Sequence, residues 1–140
     1  MKSTNDGRKT LVTGASGFVG KSVCKYLIEN GKEVVAIDIA PSEVSELRVI
    51  QCDLTQPTQL YEVVANSDIS EIVHCGGLSG PMLAWNTPSA MFRANIESTF
   101  NLLEIAKICK FQKFIYCSST TVYGDTSSLS VVPENTALNP

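Results

Sequence analysis

Basic runs, long apolar runs and histidine are all scarce in this chain. No cluster of lysines and arginines appears, and the formal net charge is −3 over 140 residues. That balance speaks against a nucleic-acid partner or an anionic membrane surface, both of which draw basic patches. No run approaches the roughly 18 apolar residues of a membrane span. The first nine residues are polar with no hydrophobic segment behind them, so no signal peptide is expected. The five cysteines, Cys24, Cys52, Cys75, Cys109 and Cys117, include no Cys-x-x-Cys pair, and His74 is the single histidine. Neither a metal site nor a disulfide framework is expected. The cysteines sit inside apolar runs, where a thiol behaves as a small buried hydrophobe, and the chain reads as cytoplasmic with reduced thiols. Internal repeats, linkers and low-complexity tracts are missing too. With 44% apolar and 18% charged residues, the chain reads as one globular domain, residues 1–140, with a sizeable core.

What is present is organised around Thr13-Gly14-Ala15-Ser16-Gly17-Phe18-Val19-Gly20. This stretch comes after a short apolar run, Lys9–Thr13, and opens a helical pattern that lasts to about residue 30, with Gly31 as its stop. Val19, Val23, Tyr26 and Leu27 are spaced for one buried face. A strand that turns through glycines into a helix cradles phosphate. The glycines let backbone N–H groups approach, and the helix N-terminus adds unpaired donors and partial positive charge.

Further strands are expected at 33–38, 47–53, 71–75 and 113–117. A short helix starts at Pro57, with Leu60, Val63 and Val64 inward. A long helix runs from Pro88 to about residue 110, with Ile96, Phe100, Leu103 and Ala106 in one buried stripe, widened by Met91, Ala94 and Ile105. The last sixteen residues read as loop. Short apolar strands alternating with helices predict an α/β fold, a doubly wound parallel sheet of the Rossmann type ordered 3-2-1-4-5. Its switch point lies where the glycine turn meets the loop Gly76-Gly77-Leu78-Ser79-Gly80-Pro81.

Asp38 ends the second strand, eighteen residues beyond Gly20, the offset of a ribose-binding carboxylate. It accepts from both ribose hydroxyls and repels a 2′-phosphate. No Arg or Lys stands close behind it to accommodate one, so the expected cofactor is NAD rather than NADP. His74, in a buried strand with no partner cluster, is read as a hydrogen-bonded structural residue.

The spacing Gly14-x-x-Gly17-x-x-Gly20 resembles the short-chain dehydrogenase/reductase superfamily. Asp53-Leu54, His74-Cys75-Gly76-Gly77, Asn95 and Ser118-Ser119-x-x-Val122-Tyr123-Gly124 point to its extended branch, the NAD-dependent epimerase/dehydratase family. The resemblance implies that Gly14, Gly17, Phe18, Val19 and Gly20 surround the pyrophosphate, and that Asp38 and Ile39 hold the adenosine ribose. It implies that Asp53 and Leu54 border the adenine, that Cys75, Gly76 and Gly77 line the cofactor toward the nicotinamide, and that Asn95 reaches it from the long helix. Ser119 matches the family's catalytic Ser/Thr, which hydrogen-bonds the substrate group undergoing hydride transfer. Tyr123 is not the family's catalytic tyrosine and is assigned to packing. The long helix, near 89–110, is where members of the family often pair into homodimers.

The departures are as informative. Gly76-Gly77 stands where alanine is common, and Ser79 stands where some sugar-nucleotide epimerases carry a lysine. The family's proton donor, a tyrosine with a lysine four residues later, is absent: Tyr26, Tyr61, Tyr116 and Tyr123 have Asn30, Ala65, Thr120 and Ser127 at that offset. The last residues resemble the loop that precedes that tyrosine. The chain is therefore expected to be a C-terminally truncated form, ending before the last strands and the substrate domain, with an uncovered edge strand. Two functions remain open. One is the NAD-binding half of an epimerase, dehydratase or dehydrogenase acting on a sugar or nucleotide-sugar, inactive alone. The other is a non-catalytic dinucleotide-binding or sensing module.

Overall fold

The computed structural model describes residues 8–40, 43–44, 47–78, 86–127 and 131–140. Trailing parts of the Gly76–Pro81 loop, Ser79 among them, lie outside the described residues. Strand β1 (Lys9–Thr13) is the central strand. Its neighbours are β2 (Val34–Asp38) on one side and β6 (Ile69–His74) on the other. Beyond them lie β5 (Ile50–Gln51) and β7 (Lys113–Tyr116), giving a five-stranded parallel sheet ordered β5-β2-β1-β6-β7. This is the expected 3-2-1-4-5 order.

Alternation along the strands builds two apolar layers. Leu11, Val35, Ile37 and Ile72 face one, with Leu60 and Val64 of α2 (Pro57–Ala65) and Leu102 and Ile105 of α4 (Ser98–Ile108). Val12, Ala36 and Val73 face the other, with Cys24 of α1 (Phe18–Glu29). Successive side chains of a strand point to opposite faces, so adjacent residues of one strand serve separate cores. Gly31 ends α1 with φ +71°, a left-handed position that glycine occupies at low cost.

Four expectations are corrected. The strand expected over 47–53 is split. Residues of β4 (Leu47–Arg48) pair antiparallel with β3 (Glu43–Val44), and only β5 joins the main sheet. The segment lies at the sheet's rim and finds ladder partners only at Ile37 and Asp38. In α1, the buried line runs through Gly20 and Cys24, while Val19 and Tyr26 point outward and Val23 and Leu27 are half-buried. Small residues set that line, because Gly20 packs against the Gly14 carbonyl.

The long helix is also interrupted. It comprises α3 (Pro88–Phe92), a π-helical turn over Arg93–Glu97, and α4. The wider turn shifts the phase of α4 relative to α3. Ser98, Leu102 and Ile105 face inward, whereas Ile96, Phe100 and Leu103 are exposed. The cost of truncation should track this corrected phase. Leu102→Ala is expected to cost about 2–5 kcal/mol. Phe100→Ala, at a site 59% exposed, should cost less than about 1 kcal/mol. Urea unfolding of both variants checks it, and a reversed order would restore the Ile96–Phe100 stripe to the core.

The cysteines divide as well. All five are free; Cys24 and Cys52 are buried, Cys75 is half-buried, and Cys109 and Cys117 are exposed rather than inside the core. Among the described residues no helix is long and apolar enough to cross a membrane.

Candidate functional site

The site forms where the loops after β1 and β6 leave the sheet in opposite directions. Gly14 has φ +65°, and a Cβ there would lie 2.6 Å from the Gly76 nitrogen, so the two loops touch backbone to backbone. The turn between β1 and α1 is closed by Gly17 N–H donating to the Gly14 carbonyl at 3.0 Å and Ala15 N–H to the Ile37 carbonyl at 3.1 Å. Gly17 caps α1 without a side chain. The first-turn donors of a helix have no intrahelical partners and favour an anion.

Asp38 is held at the end of β2. One carboxylate oxygen accepts Ser16 N–H at 3.0 Å, and the other accepts Ala40 N–H at 3.0 Å. A carboxylate has about four acceptor positions, so each oxygen retains capacity for a further donor. The Ser16 hydroxyl donates to the Ala40 carbonyl at 2.6 Å, tying the glycine turn to the segment after β2.

Asp53 opens the next turn. Its Oδ1 accepts from the Thr55 N–H at 2.9 Å and the Thr55 hydroxyl at 2.8 Å. Arg93, in the π-helical turn, donates to the Thr55 hydroxyl at 3.3 Å and to Glu97 at 3.0 Å. Leu54 packs against the first core layer, and its carbonyl accepts from Asn101 at 2.8 Å.

On the other side, Asn95 grips the glycine loop. Its Oδ1 accepts Leu78 N–H at 2.8 Å and its Nδ2 donates to the Leu78 carbonyl at 2.9 Å. A Cβ on Gly77 would sit 2.7 Å from that Oδ1, so the glycine is what lets the clamp close.

Beneath the loop lies a chain of hydrogen bonds through His74. The Thr99 hydroxyl donates to the Asn95 carbonyl at 2.6 Å, which leaves its oxygen to accept from His74 Nε2 at 3.0 Å. That assigns the proton to Nε2, so Nδ1 accepts from the Thr13 hydroxyl at 2.6 Å. Thr13 in turn accepts Gly76 N–H at 3.2 Å. Burial pulls the His74 pKa down from 6.5 to about 4. The neutral imidazole thus links β1, β6, the glycine loop and the helix.

These segments enclose a cleft of about 630 Å³, within the size range of small-molecule sites. Of the residues singled out from the sequence, Gly14, Gly17, Asp38, Ile39, Asp53, Leu54, Cys75, Gly76 and Gly77 line it. Phe18, Val19, Gly20, Asn95 and Ser119 are not on its wall. Phe18 is 92% exposed and Gly20 is buried against the Gly14 carbonyl. Ser119 precedes a 3-10 turn (Thr120–Tyr123), where its hydroxyl accepts Thr121 N–H at 3.2 Å and pairs with the Thr121 hydroxyl at 2.8 Å.

Ser16, Thr55, Leu78 and Arg93 also line the cleft, unforeseen from sequence. Two of them carry a local signal. Ser16 lies inside the glycine turn, and Asp53-x-Thr55 is an Asx-turn pattern. Arg93 reaches the cleft only through packing 38 residues from Thr55. In order, the cleft offers an acid with apolar neighbours, a second fixed acid, a helix N-terminus and a glycine loop. That sequence of surfaces fits a base, a ribose and a diphosphate. Among the described residues no group of three His, Cys, Asp or Glu is placed to hold a metal ion.

The NAD dependent epimerase/dehydratase family matches residues 10–140. The chain is 35% identical over 137 residues to the UDP-glucose 4-epimerase uge1 of Schizosaccharomyces pombe, covering 89% of this chain and 38% of that relative. Among solved structures, MoeE5 in complex with UDP-glucose and NAD is 30% identical, with a TM-score of 0.78. The match covers 94% of this chain and 42% of that one. The UDP-glucose 4-epimerase from Bifidobacterium longum in complex with NAD+ and UDP is 25% identical, with a TM-score of 0.81 and the same two coverages, 94% and 42%. The chain spans less than half the length of each of these three.

Proposed function

The chain belongs to the NAD dependent epimerase/dehydratase family, and on that premise we propose that its cleft holds NAD as the cofactor-binding part of an enzyme that acts on a nucleotide-sugar. The observation that carries this reading is the Asp38 carboxylate, fixed by two backbone donors at the rim of the glycine-turn cleft. When bound, the cofactor supplies a hydride acceptor at its nicotinamide for a carbinol carbon of the substrate.

This chain's residues bind and orient. Asp38 accepts from the adenosine ribose hydroxyls and disfavours a 2′-phosphate by charge. Ile39 and Leu54 flank the adenine, and Asp53 accepts from its amino group. Gly14 and Gly17, on the cleft wall, face the diphosphate, and the first turn of α1 at Phe18, Val19 and Gly20 favours its charge from behind that wall through the helix N-terminus; the outward side chain of Phe18 takes no part. Cys75, Gly76 and Gly77 form the wall toward the nicotinamide. Asn95 is a positioning residue, acting through Leu78. The Ser119 hydroxyl exchanges its bond to Thr121 for the reacting substrate hydroxyl or carbonyl. A reducing, cytoplasmic setting suits the five free thiols.

These 140 residues hold no Tyr-x-x-x-Lys pair, so by themselves they are expected to bind NAD without epimerising or oxidising UDP-sugars. Turnover by the chain alone would overturn that expectation. A hydrogen bond to a charged group is worth roughly 1.5–3 kcal/mol. Asp38→Ala is accordingly expected to weaken NAD binding about tenfold to a hundredfold in calorimetric titration. An unchanged affinity would remove Asp38 from the site.

A further inference from the structure

Cys75 and Cys117 stand one residue past the His74–Tyr116 pair, at the carboxyl ends of neighbouring parallel strands. Their sulfurs are 3.5 Å apart, and both are free thiols. The backbones are already held in place. Cys117 N–H donates to the His74 carbonyl at 3.0 Å, and Cys75 N–H to the Thr13 carbonyl at 3.2 Å. Paired strands lie about 4.8 Å apart, inside the roughly 4.4–6.8 Å range of Cα separations that disulfides span. Bond formation brings the sulfurs to about 2.05 Å, a movement of side chains rather than strands. Cys75 lines the cleft, and Cys117 is exposed two residues before Ser119. No step of the proposed function uses either sulfur.

We propose that Cys75 and Cys117 form a redox-sensitive pair, which closes to a disulfide across the ends of β6 and β7 and lowers cofactor affinity. The oxidant is a hydroperoxide. Cys117, the exposed member, attacks one peroxide oxygen as thiolate; the O–O bond breaks, leaving a sulfenic acid and, for hydrogen peroxide, water. Cys75 then attacks the Cys117 sulfur. The S–S bond forms, the S–O bond breaks, and hydroxide leaves with the Cys75 proton as a second water. Two thiols lose two electrons and two protons, and one peroxide is reduced to two waters. A dithiol reductant reverses the change.

The order comes from the surroundings: Cys117 is exposed and meets the peroxide first, whereas Cys75 is half-buried, and burial raises its thiol pKa. Closure draws a cleft-wall sulfur toward β7 and ties the glycine loop to the segment carrying Ser119. The effect on affinity rests on the proposed NAD reading; formation of the bond does not.

The test treats the whole chain with hydrogen peroxide, quenches, and maps peptides by mass spectrometry. The expected product is an intramolecular Cys75–Cys117 cross-link that dithiothreitol removes. Cys117→Ser should abolish it and Cys109→Ser should leave it intact. Cross-links through other cysteines, or Cys117 oxidised with no cross-link, would overturn the pair. Oxidised protein should bind NAD at least threefold more weakly than reduced protein in calorimetric titration. Equal affinity of the two forms would overturn the regulatory role. A cross-link in a protein that binds NAD in neither form would instead count against the cofactor reading.

Discussion

Gly14→Ala is expected to lower the melting temperature by about 10 °C and to abolish measurable NAD binding. Two costs add. A side chain at φ +65° occupies the left-handed region, at about 1–2 kcal/mol. The new Cβ would also lie 2.6 Å from the Gly76 nitrogen, 2.7 Å from its Cα and 2.8 Å from the Cys75 carbonyl carbon. All three are backbone atoms, so no rotamer change relieves the clash, and overpacking of this kind costs about 1–3 kcal/mol. Each kcal/mol moves the midpoint of a domain this size by roughly 2–8 °C. The relief available is separation of the two loops, which opens the cleft where the diphosphate is proposed to sit. Gly31→Ala is the control. It shares a positive φ of +71° but has nothing within 4 Å of its would-be Cβ, so it should bear the conformational cost alone and leave binding intact. Equal melting temperatures and affinities for the two variants would show that the loops do not approach as described.

The second large effect is pH dependence through His74. Its folded pKa, lowered from 6.5 to about 4 by burial, makes the native state bind a proton less readily than the unfolded chain does. The stability it contributes is therefore complete above about pH 6.5 and is lost as the pH falls toward 4, about 3 kcal/mol in all. Protonation would place a second donor on the Nδ1 side, and Thr13, which also holds Gly76 N–H, would have to turn its own proton away. Urea unfolding of the wild type and of His74→Asn between pH 7.5 and 4.5 measures the effect. The stability gap between the two proteins should narrow by roughly 2–3 kcal/mol across that range, because the variant lacks the titrating group. A constant gap would mean that His74 is not held neutral.

Sheet order, the glycine turn and Asp38 were legible from local patterns, whereas Ile39, Asp53, Leu54, Cys75, Gly76 and Gly77 were placed at the cleft only by the family resemblance. Buried parallel strands read as short apolar runs, and the glycine turn and Asp38 are fixed by spacing along the chain. Helix phase was less legible. Ile96, Phe100 and Leu103 keep a helical spacing but are exposed; of the expected stripe Ala106 packs on the core and Ile105, expected at its margin, is buried beside Ser98 and Leu102. In α1 the burial line was hidden because it runs through a glycine and a cysteine rather than through the larger apolar residues. The edge strand was overestimated because an apolar run carries no record of how many ladder partners await it. Contacts between distant segments left no mark at all. Asn95 with Leu78, Arg93 with Thr55, and Cys75 with Cys117 meet only after strands and helices have docked. Asn95 shows how a role shifts when such contacts are known. Its amide oxygen accepts from the Leu78 backbone and its amide nitrogen donates to it, so Asn95 clamps the loop beside the cleft.

The central claim is that these residues alone form an NAD site that discriminates against a 2′-phosphate. Calorimetric titration of the unmodified, reduced chain with NAD and, separately, NADP tests it most directly. The account expects saturable binding of one NAD per chain, with NADP at least tenfold weaker. No NAD binding, or equal binding of the two, would contradict it.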